Sequence, residues 1–118
     1  MRRDILFLRE MVSAGTRVVD LVHEIASEEL QSDKGRLESV LWNFTVLGEA
    51  SSQVLAELKG RFPRVEWRRP TQLRNRVVHS YWAVDVEILH TTARDLLPPF
   101  LAAVTEVLDQ LQGEEAES

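Results

Sequence analysis

GRLESVLWNFTVLGEASSQVLAELKG, residues 35–60, is the stretch whose reading decides the fold class. Its apolar positions are Leu37, Val40/Leu41, Phe44, Leu47, Val54/Leu55 and Leu58, with Ser51 in register. Steps of three and four put these residues on one helical face. The spacing predicts a helix of about six turns, with Gly60 as its C-terminal stop. Gly48 and Ala50-Ser51-Ser52 form a patch of small residues around Glu49, where a neighbouring helix or a ligand can come close. Upstream, Gln31 to Gly35 is a polar connector in which Ser32 or Asp33 can cap this helix.

The segment before it carries the same period. Ile5, Leu8, Met11/Val12, Val18/Val19, Val22 and Ile25/Ala26 predict a helix over roughly residues 3–29, with a possible bend at Gly15. Downstream, residues 61–69 form an irregular basic connector containing Pro63, and Pro70 fits the first turn of a third helix that runs through His79 to about Tyr81. Asp85 is a good N-cap for a fourth helix bearing Ile88, Leu89, Thr92, Leu96 and Leu97. Pro98-Pro99 interrupts it, and Phe100/Leu101, Val104, Val107/Leu108 and Leu111 continue to about Gln112. With no strand alternation and no repeat, the fold class is all-α, an antiparallel four- to five-helix up-and-down bundle. Residues 1–112 form one helical domain, and 113–118 form an acidic, flexible tail.

Composition narrows the function. The chain has 118 residues, 44% of them apolar, and a net charge of −5. That is enough apolar material for one core, and the charge excludes a generally basic nucleic-acid protein. The absence of cysteine excludes disulfides, thiolate metal sites and cysteine nucleophiles. No apolar run is long enough to span a bilayer and no signal-peptide pattern opens the chain, so a cytoplasmic protein with no membrane role is expected. The charge is unevenly spread. Residues 59–76 hold seven cations (Lys59, Arg61, Arg64, Arg68, Arg69, Arg74, Arg76) against Glu66 alone, so this window carries +6 in an otherwise acidic chain. A solvated arginine-rich loop would explain that; so would a site for an anion.

Metal ligation finds no support in spacing. His23, His79 and His90 show no i, i+4 pair and no H-E-x-x-H. His23 beside Glu24, and His90 near Asp95, read as surface pairs. No metal and no cofactor are expected. What remains is Arg74-Asn75-Arg76-Val77-Val78-His79-Ser80-Tyr81. On a continuous helix Asn75 and Arg76 share a face with His79. An imidazole suits proton transfer and a guanidinium suits a phosphate, which together fit phosphodiester chemistry. The alternative is a helix-terminal His that interacts with the helix dipole, followed by core aromatics at Tyr81 and Trp82.

Arg74-x4-His79-x-Tyr81 resembles the R-x4-H-x-Y motif of HepT toxins in the HEPN superfamily. Gly48-Glu49-Ala50 resembles that family's GEA element, and Trp67 stands where the family has Pro-Trp, here with Glu66 in place of the proline. The resemblance spans roughly residues 4–110. It implies a homodimeric toxin of a toxin–antitoxin module, a metal-independent endoribonuclease acting on an RNA substrate at a composite dimer-interface site. Arg74 and His79 would be catalytic, Asn75 and Arg76 supporting, and Arg68 and Arg69 would bind RNA phosphates. Its partner would be a small MNT-type nucleotidyltransferase antitoxin that transfers AMP to Tyr81. Some related helical proteins are instead non-catalytic, substrate-binding partners of nucleotidyltransferases, and the same surface would serve that role.

Overall fold

The computed structural model describes residues 2–80 and 83–117. Their chain order is α1 (Arg2–Val22), α2 (Ser27–Ser32), α3 (Lys34–Gln53), α4 (Ala56–Arg61), α5 (Arg69–Val77), β1 (Val78–Ser80), β2 (Ala83–Val84), α6 (Val86–Asp95) and α7 (Leu97–Glu117). α1 lies between α3 and α7, α5 packs on α3, and α6 closes against α1, α2 and α7. The bundle is elongated, about 50 × 26 × 21 Å. Its core is the predicted stripe: Leu8, Met11 and Val18 of α1 meet Val40, Phe44 and Leu47 of α3, with Val104 and Leu111 of α7 alongside. The all-α bundle is therefore the fold, with one short hairpin added to it.

The first predicted helix stops at Val22 instead of about residue 29. Glu24 takes a left-handed φ of 57°, which ends the helix. The carbonyls freed there find tertiary donors. Arg36 Nη1 donates to Leu21 O at 2.8 Å, and His90 Nε2 lies 2.6 Å from Ile25 O. Gly15 does not bend α1, which runs through it. A Cβ at Gly15 would instead overlap the side chain of Leu101, so the glycine lets α7 approach. Asp33, one of the two predicted caps, accepts from Arg36 N at 3.1 Å to start α3.

The six-turn helix of residues 37–58 is also divided, at Val54-Leu55. Here α1 supplies the replacement bonds: Asp4 Oδ1 accepts from Leu55 N at 3.1 Å, and Arg3 Nη1 donates to Gln53 O at 2.9 Å. Asp4 is buried, and this backbone N–H satisfies it. The fourth helix begins as expected, with Asp85 Oδ1 accepting from Ile88 N at 3.1 Å. It ends at Asp95, before Pro98-Pro99. Neither proline has an N–H to donate to the carbonyls four residues back, so both sit in the first turn of α7. α7 continues through residues 113–117, where Glu114 Oε2 accepts from Arg61 Nη2 at 2.8 Å.

Candidate active site and basic groove

The small-residue patch on α3 sets the position of α5. Gly48 faces Thr71, whose Oγ1 is 3.5 Å from Gly48 O. Ser51 is fully buried, and its Oγ donates to Trp67 O at 2.6 Å. The Trp67 indole is buried in turn, its Nε1–H donating to Phe62 O at 3.1 Å. The basic connector is thus pinned through its backbone and its one tryptophan, which leaves its cations outward. Pro70 lies in the first turn of α5, as its missing N–H predicts.

The expectation that the third helix runs through His79 to Tyr81 is overturned. α5 ends at Val77. Val78 is extended, with φ −98° and ψ 99°, and its N–H bonds to Arg74 O. β1 then pairs antiparallel with β2, and Asp85 N donates to Val77 O at 2.9 Å. Two adjacent β-branched residues, Val77 and Val78, favour this exit from the helix, and the hairpin takes up backbone groups that another helical turn would have used. The pairs are Val78 with Val84 and Ser80 with Ala83, so His79 is the extra residue of a bulge. Bulges recur beside active sites because they re-aim a side chain. Asn75 and Arg76 therefore share no helical face with His79.

Arg74, Asn75 and Arg76 are all exposed on the last turn of α5, and among the described residues neither arginine is ion-paired. His79 is described by its backbone, and Tyr81 lies outside the described residues. Arg68 and Arg69 are exposed at the opposite end of α5, where Arg69 Nε is paired with Glu66 Oε2. They line an open groove of about 950 Å³ together with Arg3, Lys59 and Gln72. Arg74, Asn75 and Arg76 do not line it. Arg3 joins Arg68 and Arg69 in this groove through a contact across fifty residues, which sequence reading did not foresee. The other histidines are accounted for. His23 is exposed beside Glu24, as expected. His90 is buried, not a surface residue: its Nε2 lies against Ile25 O.

Fold and motif together define a class: an all-α domain with an Arg-x4-His segment in which an exposed arginine ends a helix and the histidine follows in a bulged strand. Residues 11–107 match the family described as HepT-like ribonucleases, and the chain belongs to that family. A Thermococcus cleftensis protein named "Probable ribonuclease HepT" is 27% identical, covering 78% of this chain and 84% of that protein. Two Methanocaldococcus jannaschii proteins given RNase names are 22% and 26% identical, covering 95% and 82% of this chain and 93% and 90% of their own lengths. No solved structure matches the chain.

Proposed function

We propose that the chain is the toxin of a toxin–antitoxin pair: an endoribonuclease that needs no metal ion and acts as a homodimer, with Arg74 and His79 as its catalytic residues. One observation carries this reading. In this member of the HepT-like ribonuclease family, Arg74 and Arg76 are exposed on the last turn of α5 with no carboxylate partner among the described residues, and His79 follows in β1. In the proposed reaction the RNA 2′-OH oxygen attacks the adjacent phosphorus. A base removes the 2′ proton as the new P–O bond forms. An acid protonates the 5′ oxygen as the P–O5′ bond breaks. The products are a 2′,3′-cyclic phosphate and a free 5′-hydroxyl. Arg74, assisted by Arg76, holds the charge on the non-bridging oxygens, Asn75 orients the phosphate, and Arg68 and Arg69 contact neighbouring phosphates.

Base and acid act on opposite sides of the phosphorus, and in this reading both are imidazoles. His90 is engaged in the core and His23 stands beyond the end of α1. The second imidazole in this reading is His79 of another copy, brought in by a two-fold dimer. The partner is a small nucleotidyltransferase that silences the toxin by attaching AMP to Tyr81.

The test uses the purified chain, a fluorogenic RNA and EDTA. The expected results are cleavage with a bell-shaped pH profile, a dimer by sedimentation at micromolar concentration, and loss of cleavage in His79→Ala. Arg74→Ala should lose about 3 kcal/mol of transition-state stabilisation, the scale of one oxyanion donor. Cleavage that EDTA abolishes, or that survives His79→Ala, would overturn the scheme.

A further inference from the structure

The groove at the N-terminal end of α5 has an unusual charge arrangement. Four of its lining residues are cations and one, Glu66, is a carboxylate. Arg69 is held by Glu66. Arg3 is fastened to Gln53, its Nη1 to the carbonyl at 2.9 Å and its Nη2 to Oε1 at 3.0 Å, but these partners are neutral and its charge remains. Lys59 and Arg68 have no ion-pair partner among the described residues. Burial first, then the charge of Arg68, lowers the pKa of Lys59, and Asp4 opposes this only in part. A partly buried lysine beside an arginine, in an open groove, is an arrangement that an anion would relieve.

We propose that Lys59 and Arg68 form a phosphate-binding subsite for single-stranded RNA, separate from the Arg74–His79 end of α5. The proposal rests on the ribonuclease reading and extends it. α5 has nine residues, so its two ends are roughly 13 Å apart. An RNA strand laid along this helix meets Lys59 and Arg68 with two neighbouring phosphates while a third reaches the motif end. The geometry favours backbone contact over base recognition. The one aromatic ring lining the groove, Trp67, is buried and its N–H already donates to Phe62 O, so no ring is left for bases to stack on. Leu55, 48% exposed, offers an apolar wall for a ribose. Guanidinium and ammonium groups both take phosphate, the first bidentately and the second as a point charge. Binding here is therefore sensitive to salt and indifferent to base identity.

The experiment measures binding of a fluorescent 2′-O-methyl oligoribonucleotide, which lacks the attacking hydroxyl and cannot be cleaved. The dissociation constant is followed against salt for the wild type, Lys59→Gln, Arg68→Gln, the double variant and Lys59→Arg. Arg94→Gln, an exposed cation of α6 outside the groove, is the control. Lys59→Gln and Arg68→Gln should each weaken binding several-fold and lower the log–log salt slope by about 0.7, the value for one single-strand phosphate contact. The double variant should lower it by about twice that. Lys59→Arg should keep the wild-type slope, and so should Arg94→Gln. Circular dichroism melts confirm that each variant is folded. Unchanged slopes in Lys59→Gln and Arg68→Gln, or no oligonucleotide binding by the wild type, would overturn the subsite. A lowered slope in a protein that cleaves no RNA would leave the subsite standing and sink the ribonuclease reading instead.

Discussion

At the scale of single residues, the candidate site is held by groups that do no chemistry. Ser51 is the clearest. It occupies a position in the apolar stripe of α3 where a leucine would bury more surface, yet its hydroxyl is fully buried on Trp67 O. Ser51→Ala should cost about 1–3 kcal/mol, because the Trp67 carbonyl loses its donor in a buried place. Urea unfolding would measure this, and a change below about 0.5 kcal/mol, the usual range of a surface substitution, would show that the connector is held by other means. Tyr81 carries a different expectation. If, as proposed, AMP is attached to its phenol, an anion is added five residues along the chain from Arg76, and it competes with RNA for the motif cations. Tyr81→Phe should then resist silencing by the nucleotidyltransferase, read by intact mass after incubation with ATP. AMP found on Tyr81→Phe as readily as on the wild type would place the acceptor elsewhere.

At the scale of elements, periodicity located every long helix but not its ends. Apolar residues repeat at helical spacing straight through His23–Ala26 and Val54–Leu55, and in both places the chain leaves the helix. The donors and acceptors that make this possible, Arg36, His90, Arg3 and Asp4, are far away in sequence. Local pattern cannot contain them. Ends marked by side-chain chemistry were legible: Asp33 and Asp85 cap as expected, and Pro70 opens α5. Gly15 shows how a local rule misleads. Its low helix propensity suggests a bend, but its function is to admit Leu101 of α7. Gly15→Val should destabilise the bundle by about 1–3 kcal/mol through overpacking. Combined with Leu101→Ala it should cost less than the sum of the two single changes, since the truncated leucine makes room. Additive costs in denaturant unfolding would show that the two residues do not compete for the same space.

For the whole molecule, the separation of charge seen in the sequence becomes a separation in space. The basic window forms the end of α4, the connector and α5; Lys59, Arg68 and Arg69 line the groove, Arg74 and Arg76 stand at the motif end of α5, and Arg64 lies on the side of α7. Arg61 is directed elsewhere, to Glu114 of α7, and this pair ties the short α4 to the C-terminal helix. The hydrogen bond from Arg61 lowers the pKa of Glu114. A carboxylate with a depressed folded pKa contributes stability above its ordinary titration range, and that contribution is lost as pH falls through the lower folded value. Glu114→Gln should therefore melt slightly below the wild type near pH 6, and the gap should close as pH drops below about 4, the usual carboxylate range. A gap that persists at pH 3 would mean that the loss comes from helix packing and not from the ionised pair.

The chain's residues specified the all-α class, the buried stripes, the side-chain caps and the basic window, because each depends on spacing or chemistry within a few residues. The motif that pointed to the HepT-like ribonucleases is equally local, four residues between Arg74 and His79. The route of the chain between those two residues was not legible. The β-branched pair Val77-Val78 disfavours another helical turn only weakly; pairing with Ala83 and Val84 decides for a bulged strand, and it depends on where α6 begins and packs. The groove has the same origin. Arg3 and Lys59 are more than fifty residues apart and line one surface only because α1 carries its N-terminus to the break between α3 and α4. Contacts over such separations follow from three-dimensional packing of the helices, which no local sequence signal encodes.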